Sequence, residues 1–115
     1  SAWFDRGFVT YSNDAKVAML GIDAKQLEIN GAVSEETALA MAKGALLHSR
    51  ADCAIAITGI AGPEGGTADK PVGTVWIAWA NHQNAKAQLF HFAGDRQAVR
   101  LQSMVAALAG LILPA

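Results

Sequence analysis

A chain of 115 residues that is 52% hydrophobic and carries a formal net charge of −1 fits one domain with a real apolar core. That charge balance gives no electrostatic case for nucleic acid or an anionic membrane, and no apolar run reaches the ~18–20 residues of a membrane span. The single cysteine, Cys53, excludes an intramolecular disulfide and points to a reducing cytoplasm.

The chain opens on SAWFDRG without an initiator methionine and reads as part of a larger domain. Residues 7–12 (GFVTYS) alternate as a strand, with Phe8 and Thr10 on one side and Val9 and Tyr11 on the other; Asp5-Arg6-Gly7 ahead of them suits a turn. Tyr11 reads as a half-buried aromatic with its hydroxyl satisfied. Asn13 is placed to cap a short helix, with Asp14 against the positive end of its dipole. Lys16 opposes that dipole, which tends to lower its pKa, although an isolated lysine reads first as a solvated surface residue. Residues 23–30 suggest a second short helix, closed by Asn30-Gly31. Ser34 then caps a longer helix with Glu35 and Glu36 in its first turn, His48 and Arg50 in its last, and Leu39, Ala42 and Leu46 as its buried face. Gly44 costs that helix about 1 kcal/mol against alanine, so close packing on a neighbour is its expected reason. Residues 53–57, solidly apolar, predict a strand covered on both faces, and the order of helix then buried strand is an α/β signature.

The next stretch, TGIAGPEGGTADKPVGT over residues 58–74, holds five of the eleven glycines and two of the three prolines. Seventeen residues is long for a connection inside a small domain, and such loops are usually functional or disordered. Its glycines allow tight turns that expose backbone N–H groups, which suits an anion or a polar ligand. It is neither a Walker A loop nor a GxGxxG motif. Residues 75–80 and 86–92 form a predicted hairpin across Asn81-His82-Gln83-Asn84, with Trp76 and Trp79 on opposite faces and at least one of them under a helix. Asp95 N-caps the last helix, along which Leu101, Met104, Val105, Leu108, Leu111 and Ile112 make a broad apolar stripe. Arg96 sits at its start; an arginine beside free N–H groups is a common phosphate-holding arrangement, and a merely exposed arginine accounts for it equally well. His48, His82 and His91 lack metal-ligand spacing, no GxSxG or CxxC occurs, and Cys53 inside its strand reads as packing rather than nucleophile. No metal and no cofactor is expected.

Together, SAWFDRGFVTYSNDAK, GAVSEETA, TGIAGPEGGTADKPVGTVWIA and FAGDRQAVR closely resemble the C-terminal domain of the CinA (competence/damage-inducible) family. The match runs in consecutive order through most of the chain. The resemblance implies an α/β fold with a mixed β-sheet flanked by helices, spanning residues 1–115 as one amidohydrolase domain that lacks the family's first helix and strand and its Glu-Ser-Cys-Thr-Gly-Gly loop. It implies hydrolysis of the carboxamide of nicotinamide mononucleotide, giving nicotinic acid mononucleotide and ammonia, in bacterial pyridine-nucleotide salvage. In that family a serine, a tyrosine and a lysine act together, and by motif position these are Ser1, Tyr11 and Lys16. Thr58 and Gly59 open the loop motif, and Arg96 and Gln97 stand as the substrate-side pair of GDRQ. Ten extended residues would leave Ser1 about 30 Å from Tyr11, so the turn at residues 5–7 must fold it back.

The implied partner is a small-molecule nucleotide, with neither nucleic acid nor membrane, and the implied assembly is a homo-oligomer, expected as a dimer. The alternative from another class is a non-catalytic nucleotide-binding or protein-interaction domain that has kept the loop. The apolar strands also predict that a segment upstream of Ser1 completes the sheet and the pocket.

Overall fold

The computed structural model describes residues 13–112; the strand expected at residues 7–12, the turn before it, and Ser1 and Tyr11 lie outside the described residues. Four helices and three strands follow in the order α1 (Asn13–Leu20), α2 (Ala24–Asn30), α3 (Glu35–Leu47), β1 (Cys53–Gly59), β2 (Thr74–Asn81), β3 (Ala85–His91) and α4 (Arg96–Ile112). The short-range signals act where the sequence places them. Asp23 Oδ1 accepts from the N–H groups of Lys25 and Gln26, and Gly31, at φ 79°, closes α2 by donating to Leu27 O. Ser34 Oγ accepts from Thr37 N at 3.1 Å and starts α3. α3 ends one turn earlier than expected: His48 is its cap, with its backbone N–H and Nδ1 both on Gly44 O, and Arg50 lies beyond it.

The strands form a sheet of order β1-β2-β3. Both described pairings are antiparallel, with Ile57 opposite Ile77 and Ala78 opposite Ala87. The parallel pairing that would make the sheet mixed is not among the described residues. The β2–β3 turn is locked by Asn81 Oδ1, which accepts from Gln83 N and Asn84 N.

Alternation along β2 separates two cores, as the period of two requires. Trp76, Ala78 and Ala80 face α3, whose Ala38, Met41 and Ala42 pack with them and with Leu20 of α1. Val75, Ile77 and Trp79 face α4 and meet Val99 and Ala107. Trp79 therefore lies under a helix, and its Nε1 donates to Ala107 O at 2.9 Å. The result is a sheet between helical layers.

Two expectations need correction. β1 is not covered on both faces: Ala56 and Thr58 are buried, but Cys53 is exposed and Ile57 is 41% exposed. Among the described strands β1 is an edge, and α4 lies chiefly over β2, so the α4-side face of β1 is only partly covered. Cys53 is accordingly no core residue. The second correction concerns α4. Its apolar stripe exists, but Leu101, Met104, Val105, Leu108 and Leu111 are exposed, and the face on the sheet is the small-residue one of Val99, Ser103 and Ala107. Small side chains let the helix approach the bulk of Trp79, and the larger ones turn outward.

Candidate functional site

Lys16 and Leu20, one helical turn apart, form the inward face of α1, at 7% and 4% exposure. The solvated surface lysine of the sequence reading is thus a buried one. Its setting depends on Gly44 in α3, where a Cβ would collide with the Leu20 carbonyl; only glycine allows the end of α1 to lie directly on the α3 backbone. Burial removes water from the amine and disfavours the ammonium form, so the Lys16 pKa is lowered from its ordinary 10.5. Of the residues expected to act together, only Lys16 falls within the described residues.

Thr58, near the end of β1, is buried and faces the α3 side of the sheet, directly across from Trp76. Its Oγ1 donates to Ala32 O at 2.7 Å, tying the start of the loop to the α2–α3 connection. That connection is itself fixed by Ser34 Oγ and Thr37 Oγ1, which both donate to Gly31 O. Thr58 therefore anchors the start of the loop through its hydroxyl. Gly59 has a packing reason to be glycine: a Cβ there would stand 2.8 Å from both Thr74 O and Val75 Cγ2.

The loop over residues 60–73 is ordered by its own contacts. Ile60 N donates to Thr74 O, Gly73 N to Ile60 O, and Thr67 N to Lys70 O, while a cis peptide joins Gly62 to Pro63. Its first half lies against the start of α4, where Asp95 Oδ1 caps the helix through Ala98 N at 2.9 Å. Arg96 Nη1 donates to Gly62 O at 3.2 Å, so the first residue of α4 holds the loop at Gly62. Between loop and helix runs a cleft of about 850 Å³, within the range of small-molecule sites. Ala61, Pro63, Val72, Leu101 and Met104 give it apolar walls, and Asp95, Arg96, Gln97 and Arg100 its polar groups.

The structure thus brings Arg96 and Gln97 together with the loop and brings Thr58 to Ala32, while Lys16 is not among the residues lining this cleft. Arg100 escaped the sequence reading. Its signal was its spacing, four residues after Arg96 on one helix, which puts two cations on one face. Chemically, the cleft offers cationic groups at the start of α4 beside apolar walls.

A sheet held between helices, with a glycine-rich loop beside an arginine-bearing cleft, defines a small α/β domain. The comparisons make the assignment specific: the CinA C-terminal domain model matches residues 1–113, and the chain belongs to that family. It is 56% identical over 108 residues to a CinA-like protein of Geotalea daltonii, covering 94% of this chain and 26% of that protein. It is 53% identical over 109 residues to the nicotinamide-nucleotide amidohydrolase PncC of Escherichia coli, covering 94% of this chain and 66% of that protein. The crystal structure of competence/damage inducible protein CihA from Agrobacterium tumefaciens superposes with a TM-score of 0.91 at 50% identity, covering 94% of this chain and 67% of that one. The chain thus spans about two thirds of these amidohydrolases and about a quarter of the longer CinA-like proteins.

Proposed function

We propose that this chain is a nicotinamide-nucleotide amidase, hydrolysing nicotinamide mononucleotide to nicotinic acid mononucleotide and ammonia in the pyridine-nucleotide salvage of a bacterial cytoplasm. The observation that carries the reading is Lys16. A lysine can serve as a base only if its pKa falls toward neutrality, and burial on α1 moves it that way. In this reading Lys16 takes the proton of the Ser1 hydroxyl, and Ser1 attacks the carboxamide carbon. Ammonia leaves with a returned proton, and water then hydrolyses the acyl-serine to the free carboxylate. Tyr11 acts alongside this pair. Thr58 and Gly59, at the end of β1, act as substrate-binding residues, and Arg96 and Gln97 take the nucleotide end. The identity to proteins named nicotinamide-nucleotide amidohydrolase supports the substrate class.

The test is ammonia and nicotinic acid mononucleotide released from nicotinamide mononucleotide by the chain and by its Lys16→Ala variant. Turnover that Lys16→Ala removes supports the reading. Equal rates for both proteins would overturn the base assignment.

One observation favours a second reading, a non-catalytic nucleotide-binding or protein-interaction domain: Lys16 does not line the cleft that carries Arg96. Nucleotide binding without any ammonia release would decide for it.

A further inference from the structure

Arg100 is a cation of the cleft that has no role in either reading of the protein. It lies one helical turn beyond Arg96 on α4 and lines the same cleft between the helix and the loop. Side chains four apart on a helix are neighbours, about 5–6 Å between their Cβ atoms, so the two guanidiniums can reach one bound group. Their situations differ. Arg96 is tied to Gly62 O at 3.2 Å and so braces the loop. Arg100 is exposed and has no hydrogen-bond or ion-pair partner among the described residues.

The charge in the cleft is unbalanced in the same sense. Its lining holds two arginines and one acid, Asp95, whose Oδ1 is already engaged by Ala98 N. A phosphate monoester near pH 7 carries about −1.5 to −2 charges, more than one guanidinium neutralises. Two planar forks can share its three terminal oxygens through charge-assisted hydrogen bonds. The apolar stretch from Val72 to Leu101 and Met104 leaves the other end of the cleft for an uncharged part of the ligand.

We propose that Arg100 is a specificity-determining residue that, together with Arg96, pairs with the terminal phosphate of a mononucleotide, so that the cleft selects a phosphomonoester over its phosphate-free nucleoside. The proposal rests on the nucleotide reading of the cleft but does not require that this chain cleave the amide. Arg96 has the double role of holding Gly62 and touching phosphate, and Arg100 has the phosphate alone.

The two roles separate by experiment on the 115-residue chain. Binding of ribose 5-phosphate and of ribose is measured by calorimetry for the wild type, Arg100→Gln and Arg100→Lys, with thermal unfolding as the control for folding. The wild type is expected to prefer ribose 5-phosphate. Arg100→Gln should lose at least tenfold in affinity for it with an unchanged unfolding midpoint, and Arg100→Lys should recover part of the loss. In turnover, Arg100→Gln should raise KM for nicotinamide mononucleotide at least tenfold and leave kcat, and KM for nicotinamide riboside, near the wild-type values.

A wild type that binds ribose 5-phosphate no tighter than ribose overturns the proposal. So does an Arg100→Gln variant that binds it as well as the wild type. Arg100-dependent binding of ribose 5-phosphate with no amide hydrolysis upholds the phosphate site and sinks the amidase reading. Turnover of the mononucleotide with a KM indifferent to Arg100→Gln does the reverse.

Discussion

Two consequences of burial can be measured at Lys16. Its lowered pKa means that, between that value and 10.5, the unfolded chain binds more protons at this site than the folded one. Stability from this residue therefore rises with pH through that window, and below it the folded state carries the full cost of a buried charge. Lys16→Met should raise the unfolding midpoint at pH 7 while abolishing turnover, and the gain should shrink as pH rises through that window and be gone above 10.5. A Lys16→Met protein less stable than wild type at pH 7 would mean that the contacts of the ammonium outweigh its desolvation. The rate should climb with pH along a limb centred below 10.5, since the base is the neutral amine. Lys16→Arg should not restore the rate, because a guanidinium does not give up its proton at working pH. The sequence could show Lys16 set against a helix dipole but not buried, because burial here is made by a glycine 28 positions away. The place of Arg96 at a helix start was legible, because the Asp95 cap is written locally in GDRQ, whereas its bond to Gly62 O spans 34 positions and was not.

At the scale of elements, the same division between local and distant causes explains which readings held. Caps and turns act over three or four residues, so Ser34 and Asp95 perform the capping hydrogen bonds expected of them, and Asp23 and Asn81 act in the same local way at a helix start and a hairpin turn. Which face of an apolar element is covered depends on what packs across from it. A period of 3.6 residues located the stripe of α4, but the sheet takes the small-residue side, and the strand of residues 53–57 looked doubly covered yet is exposed at Cys53. Gly44 is the point where local and distant effects compete directly. Alanine there gains about 1 kcal/mol in helix propensity. Against that, its Cβ would run into the carbonyl and Cβ of Leu20, and overpacking against backbone typically costs 1–3 kcal/mol. Gly44→Ala should therefore be net destabilising, by about 1 kcal/mol or more in chemical denaturation. It should also reduce turnover by displacing α1 and Lys16. A stabilised Gly44→Ala protein would show that α1 does not rest on α3 as described.

For the molecule as a whole, the outward face of α4 is an apolar feature that the described residues leave uncovered. Leu101, Met104, Val105, Leu108 and Leu111 stand between 46% and 61% exposed along one side of a 17-residue helix. Their spacings of three, one, three and three residues make a continuous seam rather than scattered surface leucines, and contiguous apolar surface of that kind favours association. Polar substitution on this seam should act on assembly and not on folding, since exposed positions usually change stability by no more than ±0.5 kcal/mol. The expected homodimer provides the test. In sedimentation velocity the 115-residue chain should show concentration-dependent self-association, and the double variant Leu101→Glu, Leu108→Glu should remain monomeric with a near-wild-type unfolding midpoint. Introduced glutamates would face one another across a pair of such helices, and burying them unpaired is costly. A double variant that unfolds would mean that these leucines support the fold itself. A wild type that stays monomeric at every concentration would show that the seam does not hold two copies together.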